Sequence, residues 1–114
     1  MMPRYVLLAH DHPFPHWDLM LDAGGILRTW RLNAIPEIGH PAAAEPIGDH
    51  RMAFLDYEGP VSGDRGVVKM EDAGTFEWRN DRPDMVQVSI DGKKLQGMLE
   101  ISPKSDHWIC RLTR

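Results

Sequence analysis

Hydrophobic positions fall in short runs rich in Val, Ile, Leu and Trp, and nearly every run is bracketed by Gly, Pro, Asp or Asn. Short runs closed off by turn residues predict strands; helices would repeat their apolar positions every three to four residues. The pattern predicts strands over residues 5–9, 16–22, 26–32, 52–57, 67–71, 75–79, 86–90, 94–101 and 108–112. Ala23-Gly24-Gly25 is a hairpin signal, and Asp91-Gly92 is a stronger one because a type I′ turn needs positive φ at both central positions. Ser102-Pro103-Lys104-Ser105-Asp106 makes a third reversal. Successive hairpins give antiparallel pairing, and closing the sheet removes its exposed edges. The expected fold is all-β, a small, mainly antiparallel β-barrel of about eight strands, with a tightly curled sandwich as the alternative.

One long segment escapes this pattern. Residues 33–49 hold Pro36, Pro41, Pro46, Gly39, Gly48 and the run Ala42-Ala43-Ala44. Flanking prolines limit the alanines to about one helical turn. The segment is expected to be a long Pro/Ala-rich loop, of the kind that is often functional or mobile, delivering the chain to His50.

With 114 residues the chain is expected to form one domain, 1–114, large enough to bury a core without crosslinks. Cys110 is the sole cysteine, so no internal disulfide can form, and nothing after Met1-Met2-Pro3-Arg4 reads as a secretory leader. A cytoplasmic location is the expectation. No apolar run approaches the roughly 20 residues that span a bilayer, so no membrane partner is expected. The net charge of −4, from 17 acidic and 13 basic residues, opposes an extended duplex footprint. It leaves room for a strand end or another small phosphate, which needs few phosphate contacts.

The chemistry concentrates in LAHDHPFPHWDLML. If residues 16–22 form a strand, His16 and Asp18 project to one face and Trp17 and Leu19 to the other. A tight return through Asp11-His12-Pro13-Phe14-Pro15 would bring His10 to the same place. Two imidazoles and a carboxylate with positions left open suit a divalent ion such as Mn, Zn or Fe. The plain alternative is a solvated strand face. His12 reads as an exposed turn residue, with a role as a further ligand the alternative. Trp17, Trp30, Trp78 and Trp108 read mainly as barrel filling rather than base-stacking platforms, and Cys110 as a buried residue without chemistry.

In order, HDHPFPHWDLMLDAGGILRTW, GDHRMAFLDYEGPV, EDAGTFEW and IDGKKLQGMLEI resemble the 3′-phosphoesterase domain of bacterial DNA ligase D, over about residues 5–112. The resemblance implies a small β-barrel and a manganese-dependent activity, zinc being the second choice of metal. That activity removes a 3′ phosphate or 3′ ribonucleoside from DNA before repair synthesis and ligation. His10, His16 and Asp18 match the metal set, and His50 matches a histidine used against the phosphate. Asp56 and Glu58-Gly59 match the Asp-aromatic-Glu-Gly step, with Tyr57 the aromatic. Arg28 falls where the family commonly has a basic residue before the Thr29-Trp30 step; Arg51 follows His50, and both are candidate substrate contacts. Arg31 and Arg65 are weaker candidates. Asp22, on the strand face of Asp18, is a candidate to orient a ligand or water.

Three departures deplete the phosphate half of that pattern. Met20 stands where the family has an arginine, Ala34 where it has a lysine and Phe54 where it has a tyrosine, and residues 60–66 form a shorter loop than is typical. A thioether cannot make charge-assisted bonds to phosphate. Two alternatives to a DNA 3′-end phosphoesterase therefore stand: a metal-binding module docking to DNA ends or to a ligase or polymerase partner, and a small-molecule phosphoesterase with Met20 and Phe54 in an apolar pocket.

Overall fold

Strands with one inward and one outward face dominate the computed structural model, which describes residues 2–114. They are β1 Arg4–His10, β2 His16–Asp22, β3 Leu27–Leu32, β4 Ala42–His50, β5 Gly59–Pro60, β6 Val67–Arg82, β7 Met85–Gly92, β8 Gln96–Lys104 and β9 His107–Thr113. The order β1-β2-β3-β4-β9-β8-β7-β6 closes through a β1–β6 pairing, and β5 adds beside β6. All pairings are antiparallel. The fold is thus an eight-stranded antiparallel β-barrel with one extra strand, as the hairpin pattern predicts. No helix among the described residues is long and apolar enough to cross a membrane.

Alternation divides the apolar side chains into two clusters. Tyr5, Leu7, Leu19, Leu21, Trp30, Leu32, Phe76, Val88, Leu99 and Leu112 belong to the main core, with Trp17, Trp78 and Trp108 packed partly buried against it. Their neighbours on the opposite face, Val6, Leu8, Met20, Leu27 and Val68, join Leu55 in a second cluster. Each such side chain contributes about 1.5–3 kcal/mol when taken out of water. The outer wall of β1 and β2 is therefore covered, and the cover is the chain that follows β4.

That covering segment corrects one expectation. Residues 52–57 are not a strand; Met52–Asp56 form a 3₁₀ turn, with Phe54 N donating to Arg51 O at 3.1 Å. A short run such as Met52-Ala53-Phe54-Leu55 carries no period that separates the two conformations. Leu55 anchors the turn in the second cluster.

The long-loop expectation for residues 33–49 also fails, because Ala42–His50 is a strand. Ala42 and Ala44 alternate into the core and Ala42–Ala44 pair with β9. Beyond them β4 pairs only with β3, and Pro46 lies in that one-sided part, where a missing N–H costs no second ladder. The predicted strands 67–71 and 75–79 merge into β6, whose register shifts opposite Leu7 and Leu8. Gly24 and Gly25, both at positive φ, turn β2 into β3 as expected. The Asp91-Gly92 turn is displaced: Gly92 still belongs to β7 and Lys93-Lys94 occupy the tip, closed by Gly92 N to Leu95 O at 2.8 Å. Asp72 holds that tip in place by accepting the Lys94 and Leu95 amides, each at 2.9 Å.

Candidate metal centre

His10 ends β1 and His16 begins β2, and the two residues are paired across the bend at 11–15. Alternation from His16 puts Asp18 on the same outward face, where both are nearly inaccessible at 2% and 3% exposure. Trp17 and Leu19 turn toward the main core.

Hydrogen bonding to backbone fixes the two imidazoles. A carbonyl can only accept, so His16 Nδ1 carries a proton and donates it to Phe14 O at 2.8 Å. His10 Nε2 likewise donates to Arg65 O at 2.8 Å. In the neutral rings the lone pairs sit on the other nitrogens, and both face Asp18: His16 Nε2 is 3.1 Å from Oδ1 and His10 Nδ1 is 3.3 Å from Oδ2. His16 Nε2 and Asp18 Oδ1 are buried with no hydrogen-bond partner. The ligand atoms of the three residues lie within 4.8 Å of one another. Three electron-rich atoms at this spacing need a positive charge between them, a proton or a divalent cation. Backbone-anchored imidazoles beside a carboxylate are a donor set that fits a metal ion.

The support for His10 comes from residues 61–66. Val61 N donates to Gly66 O at 2.8 Å, and Val67 N to Asp11 Oδ1 at 2.8 Å. Gly66 has φ +77°, and a Cβ there would meet Asp11 Oδ1 at 2.2 Å. Only glycine fits, so the bend before β2 and the loop before β6 approach closely enough for Arg65 O to reach His10. Glu58 accepts from Met70 N at 2.7 Å and Asp56 pairs with Arg4 at 2.6 Å, so these two acids fasten the covering segment to the barrel.

Between that segment and the outer wall lies a cleft of about 800 Å³. His10 and Asp18 open into it, His50 and Arg51 line it from the end of β4 and the residue beyond, and Met20, Ile47, Phe54 and Val68 supply apolar wall. The His50 ring meets Phe54 edge-on at 5.5 Å, and its Nδ1 is buried without a partner. His12 also lines the cleft and is exposed.

Two sequence candidates lie elsewhere. Arg28 pairs with Asp81 at 2.9 Å and lies over Trp30 and Trp78, 5.1 and 5.4 Å from the ring centroids. Asp22 accepts the Gly24 amide at 2.8 Å, and both residues line a separate depression of about 490 Å³. Asp22 lies four positions along β2 from Asp18, about 13 Å. The structure brings Arg31 and Arg65 to the cleft in their place. The signal for Arg31 is register, which sets it directly opposite Asp18. Ala34 is exposed beyond β3.

The sequence profile of the DNA ligase D 3′-phosphoesterase domain matches residues 8–102, a span that holds His10, His16 and Asp18 and the whole cleft. The chain belongs to this family. Among curated proteins it is similar to the multifunctional non-homologous end joining DNA repair protein LigD of Mycobacterium tuberculosis, at 26% identity over 117 residues. The match covers 92% of this chain but only 15% of that protein's length. In this member of the family the imidazole–carboxylate set lies on the barrel wall, and Met20, buried at 1%, gives that wall an apolar patch beside it.

Proposed function

We propose that this domain is a metal-dependent phosphoesterase of DNA repair that clears 3′ phosphate or 3′ ribonucleoside ends, with manganese as the first choice of metal and zinc the second. The observation that carries this reading is the convergence of His10 Nδ1, His16 Nε2 and the Asp18 carboxylate beside a cleft that also holds His50 and three arginines, in a member of the 3′-phosphoesterase family.

His10, His16 and Asp18 would hold the ion, which supplies Lewis-acid polarisation of the phosphoryl group. Hydrolysis forms a bond from a water oxygen to phosphorus and breaks the bond from phosphorus to the leaving oxygen, the DNA 3′ oxygen for a 3′ phosphate or the 5′ oxygen of a terminal ribonucleoside, and that oxygen takes up a proton. His50, which lines the cleft, would donate that proton or bind a phosphoryl oxygen. Arg51 and Arg65 at the cleft offset phosphate charge in a chain whose overall balance is −4. Few phosphates are then engaged, consistent with a strand end rather than a long duplex. A ligase or polymerase acting on the cleaned end is the partner class this reading implies.

The test is manganese-dependent release of phosphate from a short DNA carrying a 3′ phosphate, compared with the same strand ending in a 3′ ribonucleoside. Release that requires the metal and is lost with Asp18→Ala supports the reading. No release from either end by metal-loaded protein removes it in favour of a binding module.

A further inference from the structure

The arginines of this protein differ in how their charge is held. Arg4, Arg28 and Arg79 pair with Asp56, Asp81 and Glu77. Arg65 is tied to its own loop, with Nε donating to Ser62 O at 2.7 Å and Nη2 to Ser62 Oγ at 3.2 Å. Arg31 is half-buried, yet no acidic group among the described residues pairs with it. Its Nε is buried and makes no hydrogen bond. Glu45, opposite it on β4, is exposed and leaves it unpaired. A guanidinium taken partly out of water without a partner is unfavourable until an anion completes it.

Its position says which anion. Arg31 lies on β3 opposite Asp18 on β2 and lines the same cleft. Directly opposed strand residues have Cα atoms about 4.5–5.5 Å apart, within the reach of an arginine side chain. The Phe14 ring lies 5.5 Å from its Cζ and orients the guanidinium by a cation–π contact. Phe14 also supplies the carbonyl that fixes His16, so one residue of the bend aligns both the cation and a metal ligand. Arg31 stands on a barrel strand, whereas Arg51 follows the end of β4 and is exposed.

We propose that Arg31 is a phosphate-binding residue, its guanidinium holding non-bridging oxygens of a phosphate monoester whose remaining oxygens face His10, His16 and Asp18. This deepens the phosphoesterase reading and rests on it for the identity of the substrate, though not for the binding of phosphate itself. A planar fork with several donors suits a tetrahedral oxyanion better than a lysine ammonium does.

The experiment measures binding of inorganic phosphate to manganese-loaded wild type, Arg31→Met and Arg31→Lys by calorimetry, with manganese affinity and Tm as controls. Arg31→Met is expected to weaken phosphate binding about tenfold or more while manganese affinity stays within about twofold, and Arg31→Lys to recover part of the loss. In turnover of a 3′-phosphorylated oligonucleotide the same loss is expected in KM at least as much as in kcat. Arg31→Gln, similar in length and polar, repeats the measurement where Arg31→Met fails to fold. Equal phosphate affinity in wild type and the neutral variants, or no phosphate binding by wild type, overturns the proposal. Arg31-dependent phosphate binding without release from any DNA end keeps Arg31 in this role and removes DNA 3′ ends as the substrate.

Discussion

His16 Nε2 lies 3.1 Å from Asp18 Oδ1, and neither atom has a hydrogen-bond partner. Because His16 Nδ1 is committed to Phe14 O, rotation or a tautomer change cannot relieve the contact without losing that bond. A bound cation therefore converts a repulsive contact into two ligand bonds. Manganese or zinc at about 100 times its Kd is expected to stabilise the fold by about 2.7 kcal/mol, a Tm rise of roughly 10 °C. Asp18→Asn should separate the two effects: its amide donates to His16 Nε2, stabilising the metal-free protein by about 1 kcal/mol, while most of the metal-induced rise disappears. Thermal melts with and without metal check both, and an undiminished rise in Asp18→Asn would remove Asp18 from the ligand set.

Gly66 acts on the same centre at one remove. A side chain there is strained by the backbone at φ +77° and collides with Asp11, so Gly66→Ala should shift residues 61–66 and draw Arg65 O away from His10 Nε2. Loss of the carbonyl that orients a metal-binding histidine costs about 10–100-fold in metal affinity. Metal titration of Gly66→Ala is expected to give a loss in that range; an unchanged affinity means that the loop does not position His10.

Among the described residues no hydrogen bond or ion pair joins His50 to His10, His16 or Asp18, yet it opens into the same cleft. His50→Ala should therefore leave metal affinity unchanged and lower kcat by about 10²–10⁴-fold, the range of a lost general acid. A proportional fall in metal affinity in this variant would instead place His50 among the residues that shape the metal centre.

How legible this was in the sequence depends on range. Hairpin chemistry at Gly24-Gly25 and alternation from His16 to Asp22 are local, and they place Asp18 outward and Leu19 inward without tertiary knowledge. Residues 42–50 and 52–57 are misread because composition speaks for backbone preference alone. Pro46 is tolerated only since β4 lacks a second neighbour there, and Met52–Asp56 turn because Leu55 docks on an outer wall that no local pattern announces. Asp22 follows the face of Asp18 but stands at the far end of β2 from His16, whereas Arg28, set opposite Leu21, lies on the core face of β3. Arg31 needs the β2–β3 register, which the two-glycine turn sets and which a family pattern built on other positions does not carry.

A buried pair on the far side of β1 couples folding to pH. Asp72, 3% exposed, accepts the Tyr5 hydroxyl at 2.5 Å and the amides of Lys94 and Leu95. Burial pushes its carboxyl up, but the bonds from Tyr5, Leu95, Lys94 and Ala73 outweigh burial and hold it below the ordinary carboxylate value. A carboxyl lowered in the folded state stabilises the protein above the unfolded value, about 4, and that contribution is lost as pH falls through the folded value. Burial, followed by the bond to Asp72, pushes the Tyr5 phenol up, so its contribution is complete below about pH 10 and is lost as pH rises further. Tyr5→Phe is therefore expected to cost about 1.5–3 kcal/mol near pH 7, the range for a hydrogen bond to a charged group. The difference from wild type should shrink below about pH 4 and again above about pH 10. Urea unfolding of both proteins from pH 3 to pH 11 measures it, and a cost that does not vary with pH would show that the two groups are not coupled to folding through ionisation.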